Sequence, residues 1–325
     1  MPRTHQLLSM LSDGRFHSGE ALSASLGLSR SAVWKQVKGL SALGVEVHAV
    51  RGRGYRLGRD VELLSATAIR AALPSAALDR LGELEIHDTL DSTNAHLLRA
   101  LDKGVVPGSA CLAEHQQSGR GRMGRPWVSP YAANVYLSLY WELSMPPAML
   151  QGVGLAVGVA TAQALVDIGF GDAQLKWPND LVWRDAKLGG ILIELAGEVY
   201  GRCRAIVGVG LNVAMPAASA QQIECPWVDL HTAMGRSVSR NRLCAALLHR
   251  LIDALARYDR EGLAPFLAEW RRRDAFRDRP VTVRTPHDEF NGISRGIDDQ
   301  GVLLLESEGE LRRYYAGDVS LRPEL

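Results

Sequence analysis

Between His115 and Trp141 the chain has no Asp or Glu, and inside that stretch Gly119-Arg120-Gly121-Arg122-Met123-Gly124 runs straight into Arg125-Pro126-Trp127. Three glycines and three arginines in the seven residues 119–125 exclude a regular helix or a buried strand, so the chain must form a loop here. Glycine lets a backbone close on a ligand, and arginine offers a rigid fork of donors suited to phosphate or carboxylate. The expectation is a loop that orders over a ligand bearing anionic oxygens. The same six residues also spell G-x-G-x-x-G, which binds dinucleotides only where a strand precedes it and a helix opens within it. Ala110 to His115 supplies a strand, but Pro126, Trp127, Pro130 and Tyr131 argue against an immediate helix. The bland alternative is a solvated Gly/Arg linker.

At 325 residues, 46% hydrophobic and 22% charged, the chain has the composition of a soluble globular protein of two or three domains. The net charge of +1 hides an asymmetry: residues 1–59 carry nine Lys/Arg against three Asp/Glu. A concentration of positive charge in a small N-terminal piece points to nucleic acid there. Cys111, Cys203, Cys225 and Cys244 are far apart without a C-x-x-C pair, so the spacing suggests neither zinc nor a disulfide framework. Met1-Pro2-Arg3 leads into a short amphipathic segment, which reads as a cytoplasmic protein. Ser144 to Val166 is uncharged, yet its two prolines, three glycines and two glutamines favour a core helix over a membrane span.

The spacing predicts helices over His5–Leu11, Glu20–Leu26 and Arg30–Leu43, with Ser18 and Ser29 as N-caps and Gly27 as a stop. Short strands over Val45–Val50 and Gly54–Leu57 flank the basic tip Arg51-Gly52-Arg53-Gly54. Together these make a winged helix-turn-helix over 1–59, with its third helix for the major groove and its wing for phosphates. Arg30, Ser31, Trp34, Lys35, Lys38, Arg51 and Arg53 are the residues expected at DNA. A protein-interaction module with solvated lysines is the alternative.

A linker is expected over 60–66, then a large domain over 67–277. Glu83 to Asp88 reads as a strand running into Asp91-Ser92-Thr93-Asn94 and a helix, Ala95–Leu101. One hydroxyl suffices for a cap; a strand-to-helix junction also points spare hydroxyls and amides at a small polar ligand. Further strands are expected over Gly108–Gln116, Asn134–Trp141, Leu188–Leu195 and Ala205–Val213, with helices over Leu150–Ile168, Asn241–Tyr258 and Leu263–Arg273. Lys176-Trp177-Pro178-Asn179-Asp180 ends a strand in a turn. Lys187, beside Gly189-Gly190, is either a hairpin surface charge or a ligand contact, and Asp180 is either a turn cap or a reacting group. From Pro280 four short strands predict a small β-barrel of about 45 residues within 278–325.

Several motifs in this order are highly specific in combination. They are the winged helix, Asp91-Ser92-Thr93-Asn94, Gln116 with the Gly/Arg loop, Lys176 to Leu181, Lys187 to Leu192, Gly210-Leu211-Asn212 and Asn291 to Ile297. Over nearly its full length the chain resembles the bacterial bifunctional biotin-protein ligases that are also biotin operon repressors. The loop of the best-known relative carries a third arginine where this chain has Met123. The resemblance implies an α+β multidomain protein: a winged helix-turn-helix, a central mixed sheet with helices of class II synthetase-like form, and a C-terminal SH3-like barrel.

It also implies a two-step reaction in which biotin and ATP give biotinyl-5'-AMP, and a lysine of the biotin carboxyl carrier protein of acetyl-CoA carboxylase then displaces AMP. On that basis Ser92, Thr93, Asn94, Gln116, Arg120, Gly121, Arg122 and Lys187 would hold biotin. Gly119, Arg122, Trp127, Lys176, Asn179, Lys187 and Asn212 would hold the nucleotide. Arg122, Lys187 and Asp180 would carry the chemistry, with Mg²⁺ on the phosphates through ligands the sequence does not identify. Biotinyl-5'-AMP would also be the corepressor, driving homodimerisation on operator DNA. The alternatives are a biotin-sensing transcription factor without ligase activity and a lipoate-protein ligase.

Overall fold

The computed structural model describes residues 3–58, 61–146, 150–199, 202–285, 287–316 and 320–323. The N-terminal piece is α1 (Arg3–Leu11), α2 (Gly19–Leu26), α3 (Arg30–Ala42) and a hairpin of β1 (Val47–Val50) and β2 (Gly54–Leu57). Ser18 and Ser29 accept from the amides of Ala21 and Ala32, and Gly27 closes α2 in the left-handed region at φ 63°, as their residue types dictate. Leu7, Leu8, Leu11, Leu22, Val33, Val37 and Leu40 recur at helical spacing and form the core of this piece.

That core is completed from outside, by Val61, Tyr131 and Ala132. The Tyr131 amide donates to Leu43 O at 3.1 Å. Gly44, at φ +81°, lies so close to the neighbouring surface that a Cβ there would stand 2.8 Å from Ser219 Oγ. The expected linker is firmly held where it is described. Leu64 N donates to Glu114 Oε1 (2.6 Å), Ser65 N to Asn241 Oδ1 (2.8 Å) and Arg240 Nη1 to Glu62 O (2.7 Å). Arg59 and Asp60 lie outside the described residues.

The central part runs α4 (Ala66–Ala72), α5 (Ser75–Leu78), β3 (Leu84–Leu90), α6 (Thr93–Leu101), β4 (Ala110–Gln116), β5 (Val135–Leu143), α7 (Val153–Asp167), β6 (Gln174–Lys176), β7 (Asp180–Trp183), β8 (Ala186–Val199), β9 (Arg202–Leu211), α8 (Ala217–Ala220), α9 (Leu230–Met234), α10 (Arg240–Glu261) and α11 (Ala264–Arg273). Its seven strands lie in the order β3-β4-β5-β9-β8-β7-β6. Only the β3–β4 pair is parallel. Strand alternation separates two faces. Leu112, Leu139 and Val207 belong to the large core built with α7 and α10, whereas their neighbours Cys111, Tyr140 and Ile206 pack with Leu97 of α6 on the other side. Residues 153–166 of the uncharged stretch lie in α7, most of which is buried; no helix among the described residues is long and apolar enough to cross a membrane. The short helices α5, α8 and α9 lie outside the expected helices; α5 and α8 each begin directly after a proline, Pro74 and Pro216.

The C-terminal unit has five strands rather than the expected four: β10 (Pro280–Arg284), β11 (Glu289–Ile297), β12 (Leu303–Ser307), β13 (Glu310–Tyr314) and β14 (Ser320–Pro323). They form an antiparallel sheet in the order β13-β12-β11-β10-β14. Val281, Val283, Leu303, Leu305 and Leu321 merge into the large core.

Candidate active site

The β3–α6 junction builds a buried polar pocket from residues that a cap does not require. Ser92 is the N-cap, accepting from Ala95 N at 3.4 Å, and Arg99 holds the Asp91 carboxyl down at about 2. Thr93 is thereby released: its amide and Oγ1 both donate to Gln116 Oε1, at 2.9 and 3.1 Å. Ser138 Oγ, from the middle of β5, lies 2.7 Å from Thr93 Oγ1 and 2.5 Å from Asn94 Oδ1. Asn94 Nδ2 donates to Glu194 Oε2 on β8 at 2.7 Å. Gly208 makes room for it, since a Cβ there would stand 2.3 Å from Asn94 Oδ1. Buried polar groups are held only when satisfied, so this network fixes Thr93, Asn94, Gln116, Ser138 and Glu194 in one arrangement.

The Gly/Arg loop leaves β4 beside this pocket and is pinned at its base. Gln116 Nε2 donates to Ser129 Oγ at 3.3 Å, His115 Nδ1 lies 2.6 Å from Ser129 O, and Trp127 N donates to Gly119 O at 2.8 Å. Gly119 has no space for a side chain, because a Cβ would meet Ser129 Oγ and Trp127 O at 2.8 Å. Gly121, by contrast, has nothing nearer its Cβ position than Arg125 O at 3.8 Å. The tip is a single 3₁₀ turn, Arg122–Gly124, in which Met123 takes φ 56°. Extended chain and β5 follow, not a helix, so the dinucleotide-binding reading of G-x-G-x-x-G fails on its own criterion.

The arginines tie the loop to distant parts of the chain. Arg120 pairs with Glu194 Oε1 at 2.8 Å. Arg122 donates to Asn179 Oδ1 (3.1 Å) and to Ala316 O (2.5 Å), and borders a cavity of about 230 Å³ with Trp177, Asn179, Ile191 and Ile193.

Strand register carries the rest. Lys176 pairs with Asp180, Asp180 with Gly190, Gly190 with Gly210 and Gly210 with Tyr136, one row across four neighbouring strands and onto β5. Asp180 Oδ1 lies 2.7 Å from Lys187 Nζ and Oδ2 lies 3.9 Å from Lys176 Nζ. Burial draws the Lys176 ammonium below its usual range, while Asp180 acts to raise it. Lys187 Nζ also sits 5.6 Å over the Trp127 ring. That indole lies on the two glycines of the row: a Cβ on Gly210 would be 2.7 Å from it and one on Gly190 3.4 Å. Trp127 Nε1 is buried without a hydrogen-bond partner. Asn212 braces this corner, donating to Lys187 O (3.3 Å) and Val228 O (3.2 Å).

The sequence-derived residues thus gather in two adjoining groups joined by the loop: Ser92, Thr93, Asn94 and Gln116 in one, Arg122, Trp127, Lys176, Asn179, Asp180 and Lys187 in the other. Sequence reasoning missed Ser138, Glu194 and Ser129. Ser138 left a signal, a hydroxyl inside the apolar run of β5; Glu194 did not, because a charge late in a strand reads as solvated. On the N-terminal piece, Arg30, Ser31, Trp34, Lys35, Lys38, Arg51 and Arg53 are all exposed. Lys38 Nζ lies 5.3 Å over Trp34, and Arg53 stacks on Phe16 at 4.3 Å.

Three family models match the chain: an HTH domain over 3–56, the Biotin/lipoate A/B protein ligase family over 87–212 and the Biotin protein ligase C terminal domain over 278–322. The Bifunctional ligase/repressor BirA of Salmonella typhimurium is 43% identical over 97% of this chain and 96% of its own length. That of Escherichia coli is 41% identical over 98% and 96%. This chain belongs to the bifunctional ligase/repressor family. The solved structure of biotin protein ligase from Aquifex aeolicus in complex with biotin and ATP superimposes with a TM-score of 0.64 at 25% identity, over 74% of this chain and 99% of that one. Both groups of site residues, from Ser92 to Asn212, fall within the ligase-family match.

Proposed function

We propose that this biotin ligase and DNA-binding repressor activates biotin with ATP and passes it to a lysine of the biotin carboxyl carrier protein of acetyl-CoA carboxylase. The observation that carries the reading is the junction of a buried amide-and-hydroxyl pocket with a cationic corner, under a loop whose glycines and arginines touch both. Ser92, Thr93, Asn94 and Gln116 suit the ureido ring of biotin, a flat group of donors and acceptors. The backbone of Arg120, Gly121 and Arg122 closes over its carboxylate end; Gly121 has the free space a close approach needs. Gly119, Trp127, Lys176, Asn179 and Asn212 shape the nucleotide side.

In the first step a biotin carboxylate oxygen attacks the α-phosphorus of ATP, and the bond to pyrophosphate breaks, leaving biotinyl-5'-AMP. Two anions must meet, so charge neutralisation and alignment dominate the barrier. Lys187 and Arg122 supply both. Asp180 and Glu194, the carboxylates beside the loop, are already engaged by cations, so this donor set fits a Mg²⁺ that arrives on the ATP phosphates and is not held in a protein cage. Such an ion neutralises phosphate charge. In the second step the acceptor amine attacks the biotinyl carbonyl, AMP departs, and Asp180 orients the amine or takes its proton.

The reading extends to regulation. Residues 1–59 form the DNA-binding domain, 60–66 the connection, 67–277 the ligase domain and 278–325 the C-terminal barrel of a cytoplasmic protein. Biotinyl-5'-AMP is the corepressor, and the closed loop completes a surface for homodimerisation on operator DNA. Pyrophosphate release with biotin and ATP, together with the mass of the acceptor domain incubated with ATP plus biotin or lipoate, tests it. A mass increase with biotin alone is expected; no increase, or one with lipoate, overturns the reading.

A further inference from the structure

A second cluster of reactive side chains lies on the α6 face of the β3–β4 pair and has no part in the chemistry above. Glu85 pairs with Cys111 and His87 with Ala113 in the parallel register, so Glu85, His87 and Cys111 share one face. His96, two residues beyond Asn94, projects onto them from α6. One donor atom each from His87, His96 and Cys111 lies within 4.8 Å of the other two. Glu85 Oε2 stands 2.8 Å from His87 Nε2 and 2.9 Å from His96 Nε2, and the two rings are 4.5 Å apart.

We propose that Cys111, His87 and His96, oriented by Glu85, form a binding site for Zn²⁺. A thiolate and two imidazoles are borderline-soft donors suited to Zn²⁺ or Co²⁺ and ill-suited to Mg²⁺ or Ca²⁺. A carboxylate fixing both imidazoles is the outer arrangement that metal-ligating histidines use. Tetrahedral coordination brings such donors to about 3.3–3.6 Å from one another. With Glu85 holding each Nε2, the Nδ1 atoms would be the ligands, and the contraction from 4.8 Å falls on these two histidines, whose side chains are 32% and 26% exposed and can pivot on Glu85, while Cys111 is fixed in the core. Coordination would release the Cys111 proton to solvent. The cysteine spacing did not suggest zinc, because β3, α6 and β4 assemble this set from three separate segments.

The test uses the full-length protein, freed of metal by chelator dialysis and titrated with Co²⁺. One Co²⁺ per chain should bind, with a thiolate-to-cobalt charge-transfer band that Zn²⁺ then displaces. Cys111→Ser should abolish the band. The paired change His87→Ala/His96→Ala, at partly exposed positions that leave the core intact, should weaken binding by about 100-fold or more. Cys225→Ser, which removes the exposed thiol, should change nothing. Absence of stoichiometric binding, a band that follows Cys225, or undiminished affinity in the histidine pair variant would overturn the proposal.

Discussion

Lys187 Nζ meets Asp180 Oδ1 at 2.7 Å because the β7–β8 ladder slips by one residue between them. Leu181 faces Gly189 but Val182 faces Lys187, leaving Leu188 as the extra residue of a bulge. A bulge re-aims the side chains beside it, and here it turns a lysine from the hairpin mouth into the site. The ion pair is part-buried, with side chains 29% and 17% exposed, where charge attraction is worth more than at the surface.

If Asp180 acts on the acceptor amine, Asp180→Asn should slow biotin transfer from preformed adenylate by roughly 100-fold, the usual range for a lost general base. Adenylate formation should fall less. The Lys176 ammonium, already drawn down by burial, drops further once the carboxylate that supports it is gone. Single-turnover transfer and pyrophosphate release, measured separately, check this; equal losses in both would reduce Asp180 to a holder of Lys187.

The two loop-side glycines that meet Trp127 and the one at the loop's centre should behave differently. Gly210→Ala places a methyl 2.7 Å from the indole and must displace it, costing about 1–3 kcal/mol of stability by overpacking. Gly121→Ala meets only Arg125 O at 3.8 Å and should leave the melting temperature within a degree or two while weakening biotin. Thermal melts with and without biotin separate the two. Equal apo destabilisation would mean that Gly121 serves the fold and not the ligand.

How much of this was legible follows from what each residue's signal depends on. Ser18, Ser29 and Gly27 act through neighbours a few residues away, so the winged helix could be read directly. The Gly/Arg loop, Lys176 to Asp180 and Lys187 stand at strand ends, where composition breaks mark them. Ser138, Glu194 and the histidine–cysteine cluster matter only through partners placed by sheet register, which no local pattern encodes. The same holds for Ala316, which meets Arg122 from the C-terminal unit, 194 residues away.

Asp274 should set a pH dependence of stability. Burial raises its carboxyl from 3.8 to about 6, with the Phe276 amide bond acting against the shift. Between these values the unfolded chain gives up a proton that the folded chain keeps, so stability falls as pH rises from about 4 to 6 and stays reduced above. Asp274→Asn retains an acceptor for the Phe276 amide and should stabilise the protein at pH 7 by up to about 2 kcal/mol. Denaturant titrations of both proteins at pH 4 and pH 7 should show the gap opening only at the higher pH. A gap that is the same at both would assign Asp274 an ordinary carboxyl.

The last prediction concerns how the DNA-binding piece senses the ligase site. Its core is closed by Tyr131, whose amide bonds Leu43 O at 3.1 Å and whose hydroxyl bonds Asp88 Oδ1. Two residues earlier, Ser129 anchors the base of the Gly/Arg loop through Gln116 and His115. If the loop closes over biotinyl-5'-AMP as proposed, its base at Ser129 should pull on the segment 129–132 that the winged helix rests on. Removing residues 1–59 would abolish DNA binding and uncover Tyr131 and Ala132, so the remaining ligase should work in kind but require more biotin. A milder change isolates the link. Gly44→Ala forces a side chain into the left-handed region at φ +81° and 2.8 Å from Ser219 Oγ, which costs about 1–2 kcal/mol and strains the contact between the two parts at the C-terminal end of α3, leaving the exposed residues of α3 and the wing unaltered. Operator affinity at fixed salt should then lose most of its enhancement by biotin plus ATP, while weak salt-sensitive binding to unrelated DNA persists. An enhancement identical to that of the unaltered protein would show that the contact at Tyr131 transmits nothing.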